Sequence, residues 1–151
     1  MGVAVKPIGN EHFHMPPERR GITHKFVIYG GDVRYDEVRV GDRILYEKKQ
    51  GNLKGYLTVG FTDGGNIGEA FLTIGKMGGM YRVYDALMIA MSIGLQHGVP
   101  LDVFVSKLSY LQFEPEGITS NNSIPFAKSV VDYIARWLKQ FCDDGEKDGN
   151  S

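Results

Sequence analysis

A chain of 151 residues with a formal net charge of -1, from 17 Lys and Arg against 18 Asp and Glu, fits one domain and lacks the bulk positive field of a nucleic-acid or anionic-membrane binder. Apolar residues make up 42%, enough for a core, yet no apolar run approaches the roughly 18 residues of a membrane-spanning helix. The single cysteine, Cys142, excludes an internal disulfide, a four-thiolate zinc site and an intramolecular dithiol cycle.

Residues 1–20 carry Pro7, Pro16 and Pro17 without periodicity, which predicts an extended arm. The arm has no secretory pattern, so a cytoplasmic location is expected. The run His24-Lys25-Phe26-Val27-Ile28-Tyr29 predicts a strand that stops at Gly30-Gly31, followed by a β-ribbon over 32–54 with a turn at Gly41-Asp42. Leu57, Val59 and Phe61 alternate with Tyr56, Thr58 and Gly60. After the turn chemistry of Asp63-Gly64-Gly65-Asn66, Ala70, Leu72 and Ile74 alternate with Glu69, Phe71 and Thr73, giving a half-buried hairpin. Beyond the glycine-rich turn 75–79 the apolar period lengthens to that of a helix over 81–97, stopped by Gly98 and Pro100. A short second helix runs to Leu108, with Asp102 near its positive end. A last helix is expected to be capped by Ser123, to tolerate Pro125 in its first turn, and to bury Ala127, Val130, Val131, Ile134, Leu138 and Phe141. Residues 143–151 read as a disordered polar tail. Strands first and helices later predict an α+β domain over 21–142, an antiparallel sheet packed against two or three helices.

The turn 75–79 joins a strand to a helix. Gly75, Gly78 and Gly79 free the backbone there, while Lys76 and Arg82 add charge, so the turn is a candidate anion or nucleotide site. It lacks both glycine-rich nucleotide-binding patterns, and a plain strand-to-helix turn needs the same glycines. His12 and His14 lie in the arm, and His24 and His97 sit in separate elements with no cysteine or carboxylate at ligand spacing, so no metal site is expected. Tyr35, Arg39, Arg43, Tyr46 and Lys48 interleave aromatic and cationic groups along the ribbon and form a candidate partner surface. The interspersed Asp36, Glu37, Asp42 and Glu47 argue for a solvated mixed-charge ribbon over a nucleic-acid contact.

Several phrases occur in order: Arg19-Arg20-Gly21-Ile22-Thr23-His24-Lys25, Gly68-Glu69-Ala70-Phe71-Leu72-Thr73-Ile74-Gly75-Lys76, Leu95-Gln96-His97-Gly98-Val99-Pro100-Leu101, and Phe113-Glu114-Pro115-Glu116-Gly117. With Asp132-Tyr133-Ile134-Ala135-Arg136-Trp137-Leu138 they resemble the C-terminal accessory domain of adenosylcobalamin-dependent (class II) ribonucleotide reductases and related phage-borne proteins, a group known by a Thr-Ser-Cys-Pro-Asp motif. The resemblance implies a role in deoxyribonucleotide metabolism through binding a nucleotide, a reductase or both, with Thr23, Lys25, Lys76, Arg82 and Glu114 as binding residues. The reductases' radical chemistry needs a cysteine set that Cys142 alone does not supply, so autonomous catalysis is not expected. The naming pentapeptide is absent as well. No cofactor is expected in this chain, and adenosylcobalamin enters only by association with a reductase. A phage-type protein that binds and modulates a host protein through the ribbon is the alternative. Further copies of the chain are a third class of partner, and a membrane is not expected.

Overall fold

The computed structural model describes residues 14–75 and 80–142; the expectations for residues 1–13, for Lys76, Gly78 and Gly79, and for the tail 143–151 lie outside these. The architecture is α+β. Strands β1 (Gly21–Val40), β2 (Arg43–Phe61) and β3 (Ile67–Ile74) form an antiparallel sheet in that spatial order. They are followed by helices α1 (Met80–Gln96), α2 (Leu101–Leu108) and α3 (Val130–Leu138). A two-stranded sheet of β4 (Gly117–Ile118) and β5 (Phe126–Ala127) precedes α3, and a single 3-10 turn, Lys139–Phe141, follows it.

β1 and β2 are far longer than the core needs, at 20 and 19 residues. The strand expected to end at Gly30-Gly31 instead passes through a break in register between Ile28 and Asp32. Gly30 adopts φ 73° there, a conformation glycine enters without a Cβ clash. Its N–H donates to Asn52 Oδ1 at 3.2 Å, and its carbonyl accepts from Gln50 Nε2 at 2.9 Å, so the irregularity is stitched by side chains of β2. Beyond it the pair continues as a two-stranded ribbon to the Gly41-Asp42 turn, with Val40 paired to Arg43.

On the inner face of the sheet's base, Phe26, Ile28, Leu53, Leu57, Val59, Ala70, Leu72 and Ile74 are buried. α3 lies across it: Tyr133 stacks on Phe26 at 4.4 Å between centroids, and Trp137 stacks on His24 at 4.9 Å. Both edges of the base are covered. At the β3 edge, Ser92 Oγ of α1 accepts from Ala70 N–H (3.0 Å) and Gln96 Nε2 donates to the Gly68 carbonyl (2.9 Å), satisfying backbone groups an open edge would leave to solvent. At the β1 edge, Val27 N–H donates to Ser120 Oγ and Ser120 N–H to the Val27 carbonyl, each at 3.0 Å.

α1 ends as expected, with Gly98 at φ 96° and Val99 N–H bonded back to the Gly94 carbonyl, the six-to-one closure typical of helix C-termini. The last helix starts later than its sequence signals imply. Ser129, not Ser123, is its cap, with Oγ accepting from Asp132 N–H at 2.9 Å. Ser123 lies in a turn closed by Ile124 N–H on the Asn121 carbonyl, and Pro125 leads into β5, where Phe126 pairs with Ile118. Among the described residues no helix is long and apolar enough to cross a membrane.

Candidate functional site

Two surfaces hold most of the described candidate residues, and a cleft is a third feature of the fold. The first is the outer face of the sheet's base. Cross-strand partners share a face, and the register sets Thr23 beside Thr58 and Phe71, Lys25 beside Tyr56 and Thr73, and Val27 beside Lys54. Thr23 and Thr58 hydroxyls are hydrogen-bonded at 3.0 Å, and Lys25 Nζ stands 6.0 Å from the centre of the Tyr56 ring. Glu69 lies at one end, held by Arg19 Nη1 at 2.8 and 2.9 Å from its two oxygens. Gly75 lies at the other, its N–H directed to the Lys54 carbonyl at 3.4 Å. Thr23 and Lys25 are thus brought together with Tyr56 and Phe71, which the sequence reading treated only as strand residues. Their signal was available: both occupy the solvent-facing half of an alternating strand, where polar residues are the rule.

The remaining candidates of that set are elsewhere. Arg82 is exposed in the first turn of α1. Glu114 is exposed in the loop between α2 and β4, before the cis Glu114-Pro115 bond, and this loop is tied toward α3 by the bond from Phe113 N–H to the Lys128 carbonyl.

The second surface is the ribbon. Register places Tyr35, Arg39, Tyr46 and Lys48 on one face together with Val33 and Ile44, and turns Arg43 to the other. Tyr35 and Tyr46 are 64% and 69% exposed. The charges the sequence interleaves are partly paired, Lys49 with Asp36 at 3.8 Å and Arg34 with Asp32 at 3.0 Å.

The third is a cleft of about 850 Å³ between α2, α3 and the loop at 119–124, lined among others by Asp102, Tyr110, Asn121, Arg136, Trp137 and Lys139. Its donors are largely engaged within the protein. The fully buried Asp132 carboxylate accepts from Arg136 Nε and Nη2 (2.9 and 2.8 Å), Tyr110 N–H (2.6 Å) and Lys128 N–H (2.9 Å), and Arg136 also donates to the Phe126 carbonyl. This cluster holds Tyr110 at φ 66°, an uncommon conformation for a residue with a Cβ. Asn121 Nδ2 donates to the Tyr133 hydroxyl at 3.1 Å, and that hydroxyl is 2.7 Å from His24 Nε2. Burial holds the His24 pKa below its usual 6.5 and pushes the Tyr133 phenol up. No histidine lines the cleft, and among the described residues no group of three or more His, Cys, Asp or Glu could hold a metal ion.

One face of the sheet is packed on helices, the other is open, and a long ribbon runs out from it, in an α+β domain. The chain belongs to the TSCPD domain family, whose model matches residues 33–142. It is similar to proteins named vitamin B12-dependent ribonucleotide reductase. With that of Rhodopirellula baltica it shares 42% identity over 125 residues, 82% of this chain and 10% of the relative. With that of Bradyrhizobium diazoefficiens it shares 35% over 130 residues, 85% and 9%, and with that of Streptantibioticus cattleyicolor 43% over 89 residues, 58% and 15%. The chain thus spans roughly a tenth of the length of these relatives, and is a ribonucleotide reductase-related domain. No solved structure matches it. The matched span includes the ribbon from Val33 onward and the Asp132–Arg136 cluster, so family membership does not depend on the absent pentapeptide.

Proposed function

We propose that this chain is an accessory protein of deoxyribonucleotide metabolism that docks on a ribonucleotide reductase through the ribbon at 32–50. The carrying observation is the ribbon itself. Two-stranded hairpins are marginal in water, yet this one displays Val33, Tyr35, Val40, Ile44, Leu45 and Tyr46 at 41–69% exposure. Apolar and aromatic groups rimmed by charge, as here, are the composition of a protein interface core. A reductase is the chosen occupant because the relatives named as reductases carry the matching stretch within a chain about ten times longer. Adenosylcobalamin, on this reading, stays in the reductase.

The test is binding of the purified chain to a vitamin B12-dependent ribonucleotide reductase, measured by surface plasmon resonance. Replacing Tyr35 and Tyr46 with Ser is expected to weaken binding by about 30-fold or more, the loss of a hot spot worth roughly 2 kcal/mol, with the melting temperature unchanged. Equal binding by wild type and variant rejects the ribbon as the docking element. Capture of a different host protein through the same tyrosines would move the reading to a phage-type modulator.

A further inference from the structure

We propose that the outer face of the three-stranded base is a stacking platform for ligands that present an unpaired nucleobase beside a phosphate, with Tyr56 and Phe71 as the stacking rings and Lys25 and Lys54 as the phosphate contacts. This site is separate from the ribbon and does not depend on the docking reading.

The first argument is placement. Tyr56 is paired with Thr73, and Thr58 with Phe71, so the two rings are diagonal neighbours on adjacent strands, about 7–8 Å apart at the backbone. They are 42% and 54% exposed, while the opposite face of the same strands carries the core. An antiparallel sheet with one solvated face ordinarily sets polar residues there, and threonine at Thr23, Thr58 and Thr73 follows that rule. Lys25 standing over Tyr56 accounts for that ring as a cross-strand pair, but Phe71, opposite Thr58, keeps more than half of its surface in solvent.

The second argument is charge. Although the chain carries -1 overall, the register gathers Lys25 and Lys54 towards one end of this face, and the acid at its far end, Glu69, is held by both of its oxygens on Arg19. The face therefore keeps a positive field that the sequence total conceals. Base-on-ring stacking flanked by cations is the shared chemistry of single-strand and nucleotide recognition on open sheets. The Thr23 and Thr58 hydroxyls, joined to each other at 3.0 Å, retain lone pairs for the edges of a stacked base.

The full chain is titrated with fluorescein-labelled oligothymidylate of about ten nucleotides, within the roughly 4–16 that one OB fold covers, and, by calorimetry, with dATP. Oligonucleotide binding is expected to weaken with salt, and Tyr56→Ala and Phe71→Ala are each expected to weaken it by about tenfold or more. The double variant Lys25→Ala, Lys54→Ala should flatten the salt slope by roughly 1.4, two phosphate contacts on a single strand. All four side chains are exposed, and circular dichroism is expected to show folded variants. Binding of dATP alone, lost with the same rings, would support the site and assign it to free nucleotides. The proposal is overturned if neither probe binds up to roughly 1 mM, above the usual range of weak sequence-independent affinities, or if binding survives both ring substitutions.

Discussion

The same two strands make the best-packed and the barest parts of this molecule. In the base, Phe26, Ile28, Leu53 and Leu57 are at most 1% exposed, whereas along the ribbon Tyr35, Leu45 and Tyr46 reach 44–69%. Apolar side chains recur along both, with Val33, Tyr35, Val38, Val40, Ile44, Leu45 and Tyr46 in the ribbon. What differs is the neighbour: α3 lies on the inner face of the base, and α1 and residues 117–120 close its edges, while side chains from 39 to 52 stand in solvent. Burial thus follows the neighbours a strand has as well as its own pattern, and the register shift between Ile28 and Asp32 marks where the packed base ends and the exposed ribbon begins.

The largest effect expected from breaking the packed region is at Asp132. Its carboxylate gathers the Arg136 guanidinium and two backbone N–H groups, and Asp132→Ala leaves a partly buried cation and those donors without it. Removing one partner of a buried pair destabilises by about 3–5 kcal/mol. At about 2–4 °C per kcal/mol for a chain of this size, the melting temperature should fall by roughly 10 °C; a fall below about 2 °C would mean the cluster is not the anchor of α3. A more pointed comparison uses two glycines of β2. A Cβ at Gly55 would meet the Phe26 ring at 2.5 Å, while at Gly51, at the foot of the ribbon, nothing lies within 4 Å. Gly55→Ala should destabilise by about 1–3 kcal/mol through overpacking, and Gly51→Ala should stay within about 0.5 kcal/mol. Equal denaturant midpoints for the two variants would erase the distinction between base and ribbon.

Much of the fold is legible in local pattern because the signals are local. The turn at 62–66, the Gly98 and Pro100 stop, and the alternation of Leu57, Val59, Ala70, Leu72 and Ile74 are each decided within a few residues. The misplaced start of α3 shows where that ends: Ser123 and Ser129 are both competent caps, and the choice is made by tertiary bonds, Ser129 Oγ to the Leu111 carbonyl at 2.7 Å and Phe126 paired with Ile118. Thr23 and Lys25 came from family resemblance, but their juxtaposition with Tyr56 and Phe71 follows only from strand register across three segments. In the same way, the opposition of Arg43 to the other ribbon candidates required the turn geometry that fixes which residues pair.

The smallest effect concerns His24, which lies where the base meets α3. Asn121 donates to the Tyr133 hydroxyl, so the hydroxyl proton is available to His24 Nε2 while the imidazole is neutral, with its own proton on Nδ1. A protonated imidazole would present a second donor to that oxygen and leave the phenol proton without its acceptor. Burial already lowers the His24 pKa below 6.5. Between the folded value and 6.5 the unfolded chain binds more protons than the folded one, so stability is full above 6.5 and falls as pH drops through that window, levelling below the folded value. Thermal melts from pH 7.5 down to 5 would record the loss as a falling melting temperature. His24→Phe, which keeps an aromatic ring against Trp137, should flatten that slope while lowering stability at pH 7.5. If the slope of the variant matches that of the wild type, the pH dependence comes from outside the base, and the contrast with the ribbon loses its titratable marker.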